Sequence, residues 1–172
     1  MTAYPVIETT RLIIRAPDAR DSAAMLSFLS EDRSEFYGGP MTPSDAWHKF
    51  AAYVGQWSLR GYGIFAITLK DTGETVGMAG PFHPDHFDEP EMSWLLTSDA
   101  HEGKGLAHEA CKAVIAHLFD DHGWPNVVSY IHTDNAGSLA LAKRLGAQLD
   151  DTASCPIENC VSYRHFPAEA MQ

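Results

Sequence analysis

The sequence predicts a mixed α/β sheet with helices on both faces. Three observations carry that prediction. Alternating apolar segments between Tyr62 and Thr97, broken by turn residues, read as a meander of strands. Two segments of helical periodicity precede the meander. After it the pattern changes to strand–helix–strand–helix, which brings a helix N-terminus beside the carboxyl end of a strand.

The elements follow in order. Thr10 to Arg15 (TRLIIR) alternates as a strand. Asp18 is placed to cap a helix carrying Ala23, Ala24, Met25, Phe28 and Leu29. Ser34 to Pro40, rich in glycine, is expected to be a loop. Thr42-Pro43-Ser44-Asp45 has a hydroxyl cap, a first-turn proline and an early acid, all signals of a helix start. That helix should carry Trp47, Phe50, Ala51, Val54 and Trp57 and end at Gly61. Tyr62–Leu69 and Glu74–Gly80 are expected as a hairpin around Lys70-Asp71-Thr72-Gly73. A proline-containing loop then leads to a third strand, Glu91–Thr97. Gly103 to Gly105 should open a helix reaching Asp121. Val127–His132 reads as a buried strand, Ala136–Leu145 as a helix, and Ala147–Leu149 and Cys160–Phe166 as final strands.

Composition narrows the function. A chain of 172 residues with 45% hydrophobic and 20% charged residues suits one soluble domain. Its formal charge of −11 opposes nucleic-acid phosphates and agrees with a cationic partner, while solubility alone is the plainer reading of it. No apolar run reaches the roughly 18–20 residues of a membrane span, and MTAYPVIETTRL is not read as a secretory signal. A cytoplasmic protein is expected. In that reducing setting Cys155 and Cys160 should stay unpaired, and Cys111, on a helix, should be a small buried residue.

The segment most informative about chemistry is EMSWLLTSDAHEGKGLAHEACKAVIAHLF. A strand runs into a short loop with two glycines, which opens directly into a long helix. Free amides at a helix N-terminus, reached over glycines, can cradle a phosphate. The loop lacks the spacer and hydroxyl residue of a Walker A motif. His108 stands where a dinucleotide fingerprint would have its third glycine. Alone, the loop reads first as an ordinary turn into a helix.

With its neighbours the segment resembles the GNAT superfamily of N-acetyltransferases, in the branch of the RimJ/RimL ribosomal-protein acetyltransferases. The likeness runs over nearly the whole chain: TTRLIIRAP, GxxVGMAG, EMSWLL, EGKGLAHEA and SYIHTDNAGSLALAKRLGA. It implies one domain over residues 1–172 with a central, mostly antiparallel twisted sheet. It also implies acetyl-CoA as co-substrate, no metal, and direct attack by a primary amine in a ternary complex. The backbone of Leu95, Leu96 and Thr97 would hold the pantetheine arm. The loop amides of Gly103, Lys104, Gly105, Leu106, Ala107 and His108 would hold the pyrophosphate. Asn135 and Ser138 would lie beside the thiol, and Phe36, Tyr37 and Trp47 would line the acceptor pocket. Two positions depart from the family pattern: Glu102 replaces a Gln or Arg before the loop, and no tyrosine follows in LALAKRLGA.

Acetyl transfer needs a neutral amine, donors for an oxyanion, and a proton or hydrogen bond for the thiolate. Glu91 is the first candidate base, through water, and a strand-end ion pair is its bland alternative. His132 is the reserve base. Ser138 is the remaining hydroxyl for the thiolate, and its alternative is a first-turn residue bonded to backbone. Asn135 can cap the helix and meet the cofactor at once. His83, His86 and Asp88 lie in a proline-containing loop and are not read as metal ligands. The acceptor, a protein N-terminus or a small amine, is left open, as is a homodimer. A non-catalytic acyl-CoA sensor or scaffold is the competing class; a nucleotide-binding regulator is a third.

Overall fold

The computed structural model describes residues 4–168. Its strands are β1 (Val6–Glu8), β2 (Leu12–Arg15), β3 (Phe65–Leu69), β4 (Thr75–Phe82), β5 (Glu91–Leu96), β6 (Val127–His132), β7 (Gln148–Leu149) and β8 (Cys160–His165). They form one sheet in the order β1-β2-β3-β4-β5-β6-β8-β7. Neighbours are antiparallel except β5 and β6. The helices are α1 (Ser22–Leu29), α2 (Pro43–Arg60), α3 (Leu106–Asp120) and α4 (Ala136–Arg144).

Alternation along the strands divides the core between two faces. Phe65 and Ile67 of β3 pack with Leu106, Ala110, Val114 and Leu118 of α3. Ala66 of β3 and Met78 of β4 pack with Met25, Phe28 and Leu29 of α1 and with Phe50 of α2. The sheet is thus covered on both sides, as the element order predicts. Cys111 is fully buried on α3, also as expected.

Several elements differ from the sequence reading. A first strand, Val6–Glu8, pairs with β2 but has only three residues, too few to show a period. Asp18 caps a short 3-10 turn, Ala19–Asp21, ahead of α1. The expected loop at Ser34–Pro40 begins instead inside a 3-10 helix, Asp32–Tyr37, stopped by Gly38 at φ +85°. On α2 the buried face is Ala46, Phe50, Tyr53, Gln56 and Trp57. Trp47 and Val54, expected on that face, are 57% and 36% exposed. β4 continues through Pro81, opposite Met92. Its β3 pairing has already ended at Ala79, so the missing amide of Pro81 interrupts no β3 ladder bond, and the Pro81 carbonyl accepts from Gln56 Nε2 at 2.9 Å.

The cysteine expectation is overturned. Cys155 and Cys160 form a disulfide. The loop before β8 folds back to bring their Cα atoms to 6.1 Å, within bridging range. Compartment reasoning had no access to that geometry.

No helix among the described residues is long and apolar enough to cross a membrane.

Candidate active site

The parallel neighbours β5 and β6 are in register only at Glu91↔Val128. Beyond that pair they part, and Trp94 and Leu96 lose their ladder partners on that side; their carbonyls accept instead from the Tyr37 hydroxyl and, at 3.3 Å, from Arg33 Nη2. A cleft of about 490 Å³ occupies the gap. It runs from Asn135 and Ser138 past Leu95 and Leu96 to Gly103, Ala107 and Arg144, with Arg33, Phe36 and Tyr37 forming the opposite wall. A narrower crevice of about 40 Å³ branches from it between Phe36, Tyr130 and His132.

The loop that opens α3 is shaped from behind. Gly103 and Gly105 take φ +70° and +76°, a region other residues enter at a cost. Arg11 Nη1 donates to the Lys104 carbonyl at 2.9 Å. Across a planar trans peptide the Gly105 amide then points the opposite way, away from Arg11. Arg11 is held in turn by Glu109, whose carboxylate accepts from Arg11 Nε at 2.7 Å, the Arg11 amide at 2.9 Å and Thr9 Oγ1 at 2.6 Å. Burial pushes the Glu109 carboxyl up, but these donors win and hold it below its usual range. The helical ladder begins at Glu109 N→Gly105 O, so the amides of Leu106, Ala107 and His108 lie ahead of it. Nothing in the sequence had singled out Arg11 or Glu109. Their spacing of 98 residues hides the pair from any local pattern.

At the other end of the cleft, Asn135 caps α4 by accepting the Ser138 amide at 3.1 Å. Ser138 Oγ accepts from Trp94 Nε1 at 3.1 Å. The Tyr37 hydroxyl donates to the Trp94 carbonyl, and burial pushes its phenol far above the ordinary value. Leu95 is approached closely from β4, where a Cβ on Gly77 would stand 2.3 Å from the Leu95 carbonyl oxygen.

Glu91 starts β5 on the face of α2. It is partly buried, and that burial pushes its carboxyl up to about 7 against the pull of the Lys49 ammonium and a hydrogen bond from the Tyr130 backbone. Lys49 donates to the Tyr37 carbonyl at 2.6 Å, and burial lowers its pKa. Glu91 is absent from the cleft wall itself; its neighbours Tyr37, which lines the cleft, and Tyr130, which lines the crevice, stand between. His132 lines the crevice. Its Nδ1 accepts the Asp134 amide at 3.1 Å, and its ring lies 5.3 Å from that of Phe36.

The expected residues are therefore sorted by the fold. Leu95, Leu96, Gly103, Ala107, Asn135, Ser138, Phe36 and Tyr37 meet in one cleft. Trp47 does not; it stands on the outer side of α2 with its ring edge-on to His48. Thr97 is turned away as well, its amide donating to Val76 O at 2.9 Å and leaving only its carbonyl for any ligand. Lys104 contributes a backbone position, with its carbonyl already engaged by Arg11. His83 packs its own loop together, Nδ1 lying 2.8 Å from Tyr62 Oη and Nε2 3.2 Å from the Phe87 carbonyl.

A narrow groove with splayed strand backbone at one end and an anion-seeking helix N-terminus at the other fits an extended thioester carrying a pyrophosphate. Comparison with known proteins agrees. The model of the acetyltransferase (GNAT) domain matches residues 11–148. The crystal structure of an acetyltransferase from Agrobacterium tumefaciens is 34% identical, with a TM-score of 0.90 over 97% of each chain. An uncharacterized N-acetyltransferase of Bacillus subtilis, YoaA, is 27% identical over 84% of each chain. The fold alone is shared with the Salmonella typhimurium acetyltransferase that modifies the N-terminal serine of a 50S ribosomal subunit protein. That match is 15% identical, with a TM-score of 0.72 over 95% of this chain and 99% of that one. The chain belongs to the GNAT acetyltransferase family and is an acetyl-CoA-dependent acetyltransferase.

Proposed function

We propose that this enzyme, one domain over residues 1–172, transfers the acetyl group to a primary amine within a ternary complex. The observation that carries the reading is the meeting of the Ser138 hydroxyl with the splayed β5 backbone in one cleft, while a carboxyl poised at about 7 lies behind it. Acetyl-CoA, when bound, supplies the acyl group as a thioester.

The residues then divide the work. The backbone of Leu95 and Leu96 aligns the pantetheine arm, and the amides of Gly103 to His108 receive the pyrophosphate. Glu91, through an ordered water, takes the proton that an ammonium must lose before it can attack. A base near the working pH combines enough deprotonated form with enough basicity. Ser138, whose oxygen already accepts from Trp94, gives its own proton in a hydrogen bond to the departing thiolate. Asn135 fixes the helix turn that presents it. Phe36 and Tyr37 wall the acceptor side.

The acceptor is a cationic amine, favoured by the acidic surface. The RimJ/RimL-like motifs favour a protein N-terminus among such amines. Free-thiol release from acetyl-CoA, measured across N-terminal peptides, polyamines and amino sugars, tests this. Turnover with peptides above the others supports the branch. Binding of acetyl-CoA with no thiol release on any amine would instead make the protein an acyl-CoA-binding module.

A further inference from the structure

Glu102 precedes the phosphate-binding loop, where a negative charge opposes a pyrophosphate. The structure shows what that charge is doing. Arg33, from the 3-10 helix Asp32–Tyr37, reaches across the cleft: its Nη2 donates to Glu102 Oε1 at 2.7 Å and its Nη1 lies 2.6 Å from Asp99 Oδ1. A longer contact, 3.3 Å, runs from Nη2 to the Leu96 carbonyl. Arg33 Nε is buried with no partner, and the guanidinium stands 5.8 Å from the centre of the Phe28 ring.

The two sides of this arrangement differ in how firmly they are held. The Arg33 side chain is only 20% exposed, whereas those of Asp99 and Glu102 are 87% and 57% exposed. Exposed carboxylates gain little from such a pair and can turn to water at small cost. The guanidinium is fixed in place over the cleft, and its present partners are replaceable. Guanidinium forks match phosphate oxygens in geometry as well as charge.

We propose that Arg33 is the cation that receives the cofactor's pyrophosphate, and that Glu102 and Asp99 hold it until the cofactor takes their place. The loop itself then needs no basic residue at position 102. Arg33 supplies that charge from a segment 69 residues earlier in the chain. The proposal rests on the reading of the cleft as the acetyl-CoA site and adds to it a residue outside the loop.

The test measures binding to the full chain by calorimetry, using CoA, 3′-dephospho-CoA and acetyl-pantetheine, which lacks the pyrophosphate. Arg33→Gln should weaken CoA and dephospho-CoA alike, by about tenfold or more, and leave acetyl-pantetheine within about twofold. Glu102→Gln, at an exposed site that should not affect folding, should tighten CoA by a few-fold because a competing carboxylate is gone. Equal weakening of all three ligands by Arg33→Gln would make Arg33 a strut for its own segment and overturn the proposal. Weakening of CoA by Glu102→Gln would also overturn it, because the pair would then be a fixed part of the bound state. A loss confined to CoA and absent with dephospho-CoA would move the contact to the 3′-phosphate and overturn the pyrophosphate assignment. Wild-type protein that binds acetyl-pantetheine as tightly as CoA would defeat the cleft reading itself, and this proposal with it.

Discussion

The indole of Trp94 donates to Ser138 Oγ over 3.1 Å, which leaves the serine proton for another partner: the Tyr37 hydroxyl beside it, or a thiolate bound in the cleft. Ser138→Ala should therefore lower kcat by about a hundredfold, the lower end of the range for positioned proton donors. The dissociation constant for CoA should stay within about threefold. Unchanged kcat in steady-state thiol release would reduce Ser138 to a first-turn residue of α4.

Glu91 should give the enzyme its acid limb. With its carboxyl pushed up to about 7, kcat/KM should climb as pH rises through that value and level off above it. Glu91→Gln should lower the plateau several-fold and remove the inflection. If the inflection survives in Glu91→Gln and disappears in His132→Asn, the base is His132.

The same carboxyl makes a prediction about stability. Its folded pKa lies above its unfolded value of 4.5, so the folded state binds the proton more tightly. The stability this contributes is full at low pH and is lost as pH rises from about 4.5 through about 7. Thermal melts of Glu91→Gln against wild type should accordingly favour the variant more at pH 8 than at pH 4.5. Parallel melting curves across that range would mean that the carboxyl titrates normally.

Glu109 holds the loop that opens α3 at a distance, through Arg11. Glu109→Ala would leave Thr9 Oγ1 and the Arg11 amide without their acceptor and release the Arg11 side chain from behind Lys104. A stability loss of about 1–3 kcal/mol is expected, together with weaker CoA binding. A variant that melts lower yet binds CoA as wild type does would show that the strap serves the fold alone.

Gly103 separates conformation from contact. A Cβ there would meet nothing within 4 Å, yet the residue sits at φ +70°. Gly103→Ala should cost about 1–2 kcal/mol through the backbone, and CoA affinity should fall as the loop relaxes from that shape. Equal affinity in the two proteins would mean that the loop is not used in the conformation described.

Much of this architecture was legible in the sequence, because its signals are local. Thr42 before Pro43, Gly61 after α2, and Asn135 three residues before Ser138 each act within one turn, and each caps its helix as read. The two-glycine loop was legible for the same reason. What escaped was register and reach. Trp47 shares a helical period with Phe50 and Trp57, and period alone does not say which side of α2 meets the sheet. Ala46, one residue away, is the position that packs. Arg11 with Glu109, and Arg33 with Glu102, join segments that only the folded sheet brings together. The disulfide was misjudged because a presumed environment was weighed in place of the turn that joins Cys155 to Cys160.

The parting of β5 from β6 has a consequence for how such a protein can change over time. In the proposed function, recognition of the pantetheine arm is entrusted to atoms that every amino acid carries, or every one but proline for the amide. A substitution at Leu95 or Leu96 alters a side chain and leaves the carbonyl standing. On the proposed reading the acceptor wall is made differently, from the ring of Phe36 and the phenol of Tyr37 with the carboxyl of Glu91 behind them, each of which one codon change can remove. The donor half of the reaction is thereby sheltered from mutation, while the half that chooses what is acetylated stays open to it.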